Sequence, residues 1–187
     1  AMARAVADAI NQGKRLIVEA GTGVGKSMAY LLPATLYALM NNKRVVISTN
    51  TINLQEQLLK KDVPSLVQAL AEVDGVSSSR LMFTQLKGRA NYLCLRRWQQ
   101  LRSSETLSDN EARLLAKTLV WLQTTATGDR SELNLAHSSA AAPWERLSAQ
   151  GASECQSIGD TCFLRAAREK AAASHLVIVN HALLLSD

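Results

Sequence analysis

Three absences narrow this 187-residue chain before any motif does. No apolar run is long enough to cross a bilayer, which argues against a membrane protein. No secretory pattern opens the chain: Ala1, Met2, Ala3 and Arg4 pass directly into an amphipathic helical pattern. Only three cysteines occur, an odd number at wide spacing, which argues against a disulfide framework. There is no internal repeat, and no low-complexity tract beyond short Ser/Ala stretches. What remains is an ordinary globular composition, 47% hydrophobic and 20% charged. That length holds one sizeable core, or a core plus an insertion. The formal net charge of +5 permits a polyanionic partner without establishing one.

The most informative stretch is Leu16-Ile-Val-Glu-Ala-Gly-Thr-Gly-Val-Gly-Lys26-Ser27. Residues 16–20 read as a strand, and residues from 28 onward as a helix. A glycine-rich turn between strand and helix is the context of a phosphate-binding P-loop. Gly21, Gly23 and Gly25 let successive backbone N–H groups face inward around an anion, with Ala20, Thr22 and Val24 completing the loop. The helix start adds partial positive charge. Lys26 is placed to reach the β- and γ-phosphates of ATP, and the Ser27 hydroxyl to ligate Mg²⁺. The strict pattern has Gly where Ala20 stands. With a P-loop present, the cysteine usage points to a reducing, cytoplasmic setting and to thiols or metal ligands.

The spacing predicts a buried helix over 27–40, kinked or started late by Pro33. Residues 44–49 read as a central parallel strand, which would make a strand–helix–strand unit with a right-handed crossover. Hydroxyls and amides then cluster at a strand's carboxyl end: Thr49, Thr51, Asn53 and Gln55. Ligands of open α/β sheets bind there, and these groups suit nucleic-acid phosphates. Helix capping by Asn53 with Glu56 explains the same residues and leaves the others idle. A helix is expected to about residue 70, broken at Pro64, and a third strand over 81–85. Residues 87–98 carry four cations, two aromatics and a cysteine. Lys87, Arg89 and Tyr92 suit a single strand, with cations on phosphates and the ring on a base. The alternative is a solvated amphipathic helix with Tyr92 and Trp98 in its core.

From residue 108 the pattern turns helical, opening with a Ser108/Glu111 capping box. Residues 137–142 read as a mobile connection, Pro143 as a short helix start, and Gly159-Asp160 as a turn between Cys155 and Cys162. Residues 162–174 read as a helix. Residues 175–179 form an apolar strand returning to the sheet, followed by Asn180, His181 and a helix over 182–185. The fold class is therefore α/β, with a parallel sheet and a mostly helical insertion. The expected organisation is 1–88, insertion 89–174, and return segment 175–187.

Four segments in order resemble the DinG/XPD-like group of superfamily 2 DNA helicases, and within it the DinG branch. Residues 19–33 are similar to helicase motif I and residues 46–58 to motif Ia. Residues 86–94 resemble the entry to an iron–sulfur domain, with Cys94 as the first cluster cysteine. Cys162 with the next residues, and then residues 177–185, resemble the last cluster cysteine and the following strand. The resemblance implies a RecA-like motor driven by ATP and Mg²⁺, moving 5′ to 3′ on single-stranded DNA and opening duplex junctions. It strengthens the DNA-contact reading for residues 49–55 and 87–98.

It also implies a four-cysteine [4Fe–4S] domain, but this chain has three cysteines. Three outcomes are open: a cluster on Cys94, Cys155 and Cys162 with another fourth ligand; a zinc site using those thiolates and a histidine such as His175; or a remnant without metal. Hydrolysis also needs an acidic residue to hold Mg²⁺ and position water, and no Asp-Glu pair occurs in these residues. The stretch is expected to be inactive alone, as the first portion of a longer motor. Two other classes compete: a non-enzymatic single-stranded DNA-binding module with a structural nucleotide, and a P-loop small-molecule kinase. The kinase predicts an Arg-rich lid, whereas the arginines here lie near cysteines and aromatics.

Overall fold

The computed structural model describes residues 1–21, 23–135, 143–151 and 162–186. Thr22, Cys155, Asp187, the connection at 137–142 and the turn at Gly159-Asp160 lie outside the described residues. The chain divides into two compact units, Ala1–Leu86 with Lys170–Asp187, and Lys87–Glu169.

The first unit is α/β. Helix α1 (Met2–Gln12) packs along α2 (Lys26–Asn41). Three parallel strands follow: β1 (Val45–Thr49), β2 (Phe83–Gln85) and β3 (Leu176–Asn180), in the order β1-β3-β2. β3 is the central strand, and its composition says why. Leu176 and Ile178 enter one apolar cluster with Leu31, Ile47 and Val63, while Val177 and Val179 enter another with Ala171. Alternate residues point to opposite faces, so a strand apolar from Leu176 to Val179 is covered on both. β1 has a ladder partner on one side only, and its Val46 is 47% exposed. The expectation of a central strand at 44–49 is thus corrected: it is an edge strand among the described residues.

The expected strand at residues 16–20 does not form either. These residues form neither helix nor strand and have no ladder partners, and Ile17 is 99% exposed. Strand propensity describes a fit to a pleated neighbour, and no described strand pairs with this segment. The strand–helix–strand unit expected there is therefore absent among the described residues.

Two prolines lie within helical stretches. Helix α2 continues through the buried Pro33 with no late start, beginning at Lys26. Downstream, α3 (Ile52–Gln57) runs into one wide π-type turn (Leu58–Asp62) and then α4 (Val63–Ala71). The Val63 N–H reaches back to the Leu58 carbonyl across that turn. Pro64 lies in the first turn of α4, directly after the wide turn. The chain stays helical by widening ahead of the proline instead of breaking at it.

The second unit is built on tryptophan. It contains α5 (Leu95–Arg102), α6 (Asp109–Trp121), α7 (Trp144–Leu147) and the start of α8 (Phe163–Ala173). The Ser108/Glu111 capping box forms at α6. Trp98, Trp121 and Trp144 share one core with Leu93, Leu114, Leu147 and Phe163. Each indole N–H is satisfied: Trp98 donates to Thr118 Oγ1, Trp121 to Glu132 Oε2 and Trp144 to the Ala90 carbonyl. Burying a tryptophan is favourable only when that donor finds a partner.

Candidate nucleotide and nucleic-acid site

The loop before α2 turns at glycines. Gly23 and Gly25 take φ +77° and +76°, values at which a side chain is strained. A Cβ placed on Gly21, Gly23 or Gly25 meets no atom within 4 Å, so the space beside these glycines is open to an anion. The Lys26 ammonium donates to the carbonyls of Ala20 at 2.8 Å and Gly21 at 2.7 Å. It fastens the loop's first turn to the helix start and still has one of its three donors to offer a phosphate. Val24 lies exposed on the loop.

Ser27 is half-buried at the first turn of α2. Tyr30, one turn further on, has its phenol raised by burial, pulled back by its hydrogen bond to the Ser27 hydroxyl, and raised further by the Asp62 charge. Asp62 ends the π-type turn, is buried, and accepts from Gln57 Nε2 at 3.3 Å.

At the carboxyl end of β1 the structure separates residues that the sequence grouped. Thr51, and not Asn53, caps α3, accepting from the Leu54 N–H at 3.2 Å. Thr49 is buried and donates to the Thr51 carbonyl. Asn53 is exposed in the first turn of α3. Gln55 is corrected outright. It is 0% exposed, and its Nε2 lies 3.3 Å from the Ile178 carbonyl and 3.5 Å from that of Leu86. A side chain sealed against the sheet cannot meet a polymer; it ties α3 to the strands.

Two residues of the basic segment, both in the second unit, are corrected in the same way. Lys87 is buried and pairs with Asp129 at 2.6 Å, with Ser131 Oγ at 3.1 Å. Tyr92 is buried, and its hydroxyl accepts from the Lys87 N–H at 3.1 Å. Burial raises the Tyr92 phenol above its ordinary range, the Lys87 N–H opposes this, and the Asp129 charge adds to it. Both side chains are spent on the fold. Arg89 alone of the three is exposed. Trp98 is likewise core, so the amphipathic-helix alternative describes this segment better than the stacking one.

Cys94 is buried at the start of α5, its N–H donating to the Leu147 carbonyl. Cys94 and Cys162 are free thiols, and no group of three or more His, Cys, Asp or Glu that could hold a metal occurs among the described residues. His175 Nδ1 accepts from the Met82 N–H at 3.1 Å, so that nitrogen is engaged. The described residues do not make up a cluster site. No helix among them is long and apolar enough to cross a membrane.

An open glycine loop, a lysine fastened across it and a serine at the helix start define a P-loop nucleotide-binding domain. The model of the DEAD/DEAH box helicase family matches residues 1–103, and the chain belongs to that family. It is 38% identical over 208 residues to the ATP-dependent helicase DinG of Mycobacterium tuberculosis (strain ATCC 25618 / H37Rv), covering 100% of this chain and 30% of that protein. It is 38% identical over 192 residues to the ATP-dependent DNA helicase YoaA of Escherichia coli (strain K12), covering 100% and 28%. It is 39% identical over 188 residues to the 3'-5' exonuclease DinG of Bacillus subtilis (strain 168), covering 100% and 19%. The chain thus spans less than a third of the length of these curated relatives.

Proposed function

We propose that this chain is the nucleotide-binding portion of an ATP-dependent DNA helicase, interrupted by a helical insertion. The observation that carries the reading is the open P-loop with Lys26 across it, in a chain of the DEAD/DEAH family. Residues 1–88 and 175–187 supply the motor part and residues 89–174 the insertion. The amides at Gly21, Gly23 and Gly25 and the Lys26 ammonium bind the phosphates of ATP. Ser27 ligates Mg²⁺, which when bound neutralises charge on the β- and γ-oxygens. Thr51 and Asn53, exposed at the sheet's carboxyl edge, and Arg89 in the second unit contact single-stranded DNA. Movement is 5′ to 3′ and duplex junctions are the substrate, by resemblance to the helicase group.

The test is ATP turnover by the full-length protein, with and without single-stranded DNA. DNA-stimulated turnover is expected in the wild type. Lys26→Ala is expected to lower it about 100-fold, because electrostatic groups on the transferred phosphoryl carry most of the catalysis. DNA binding without stimulated turnover in the wild type would favour the non-enzymatic binding module instead. The 187 residues alone are expected to show no turnover, since they contain no Asp-Glu pair.

The insertion is proposed to stand on its tryptophan core without metal. Anaerobically purified protein is expected to be colourless, with iron and zinc each far below one atom per chain. Visible absorbance that disappears in Cys162→Ser would establish the cluster in its place.

A further inference from the structure

The edge of the sheet carries a pair that the reading above leaves unused. Ser48 Oγ and His181 Nδ1 lie 2.7 Å apart. Ser48 stands on β1 and His181 directly follows β3, which pair in parallel with Thr49 opposite Asn180. The two side chains therefore meet at the carboxyl end of adjacent strands, where open α/β sheets bind ligands. His181 is exposed, and among the described residues no partner is recorded for its Nε2. An exposed neutral hydrogen bond contributes little to stability, so the pair is not explained as a fold element.

Its surroundings have a uniform character. Residues 44–55 and 174–186 contain no Asp or Glu, although the chain has 16. The exposed side chains at the end of β1 and the start of α3 include Asn50, Thr51 and Asn53. Hydroxyls and amides predominate in these two segments, with Glu56 and Asp187 the first carboxylates beyond them, and such groups suit a phosphate backbone.

We propose that His181, oriented by Ser48, is a nucleic-acid backbone contact. With Ser48 as the donor to Nδ1, one of the two arrangements the 2.7 Å contact allows, the ring N–H stands on Nε2 and is presented to a phosphate oxygen. The second nitrogen of a histidine is commonly set this way by what the first one bonds. The inference rests on the proposed helicase reading and adds to its contact edge a residue from the far side of the insertion in sequence.

The test is fluorescence anisotropy of a labelled oligothymidine with the full-length protein at pH 8. His181→Leu is expected to weaken binding about fivefold, the value of one hydrogen bond. His181→Gln, which keeps an outward N–H, is expected to stay within about twofold of wild type. The slope of log affinity against log salt is expected to be the same in both, because a neutral donor releases no counterion. Affinity for Mg-ADP and the unfolding midpoint are expected to be unchanged, which separates a DNA phosphate from a nucleotide phosphate. Wild-type affinity in His181→Leu, or an equal loss in His181→Gln, would overturn the proposal while leaving the helicase reading intact. A wild type that does not bind the oligonucleotide would overturn both.

Discussion

Lys87→Ala is expected to destabilise the second unit by about 3–5 kcal/mol, the cost of leaving one partner of a buried ion pair uncompensated. The Lys87 side chain is 2% exposed and that of Asp129 8%, with the charges 2.6 Å apart. Without the ammonium, Asp129 keeps its bond from the Ser131 N–H at 2.9 Å and loses its counter-charge. Chemical denaturation followed by tryptophan fluorescence checks this, because Trp98, Trp121 and Trp144 all belong to the second unit. Lys87→Met combined with Asp129→Asn is expected to recover part of the loss, since Asn accepts from Ser131 without a charge. The competing role makes the opposite forecast. Were Lys87 a phosphate contact, its removal would leave stability alone, weaken DNA binding and lower the salt slope by about one.

Lys87 also shows where sequence reasoning runs out. A cation in a run with Arg89, Arg96 and Arg97 looks solvated, because charge runs usually are. Its partner lies 42 positions on, in a loop with no pattern of its own. Gln55 fails for the same reason: a polar residue at a strand's carboxyl end reads as a contact, and only the strands beneath it show that it is sealed. What was legible depended on local chemistry. The Ser108/Glu111 box, the glycine loop and the apolar run of β3 are each specified within a few neighbouring residues. Residues 16–20 show the limit of that rule, because a strand is a relation to a neighbour and propensity names only one member. Tyr92 and Trp98 were open to two roles in the sequence. Burial decided between them, with a hydroxyl and an indole N–H each given a partner inside the fold.

Gly128→Ala is expected to cost about 2–5 kcal/mol, from two terms that act together. Gly128 sits at φ +63°, where an added Cβ costs roughly 1–2 kcal/mol. That Cβ would also stand 2.2 Å from Phe163 Cγ and 2.4 Å from its Cδ2, inside the ring and not at the end of a flexible chain. Overpacking of this kind adds about 1–3 kcal/mol, because a packed core relaxes only in part. Phe163 belongs to the core that holds all three tryptophans, so the loss is expected to appear as a lower denaturation midpoint in their fluorescence. The two terms can be separated. Phe163→Ala alone creates a cavity and is itself expected to destabilise by about 3–5 kcal/mol. In the Phe163→Ala background the ring is gone and only the residue's own Cβ, 2.7 Å from the added one, stays in the way, so adding Gly128→Ala is expected to cost the backbone term and a reduced steric one. The double-mutant cycle should therefore return a coupling of about 1–3 kcal/mol, the ring's share of the steric term. Strict additivity would mean that the glycine is required for its backbone angle alone, and that the ring does not rest against it in solution.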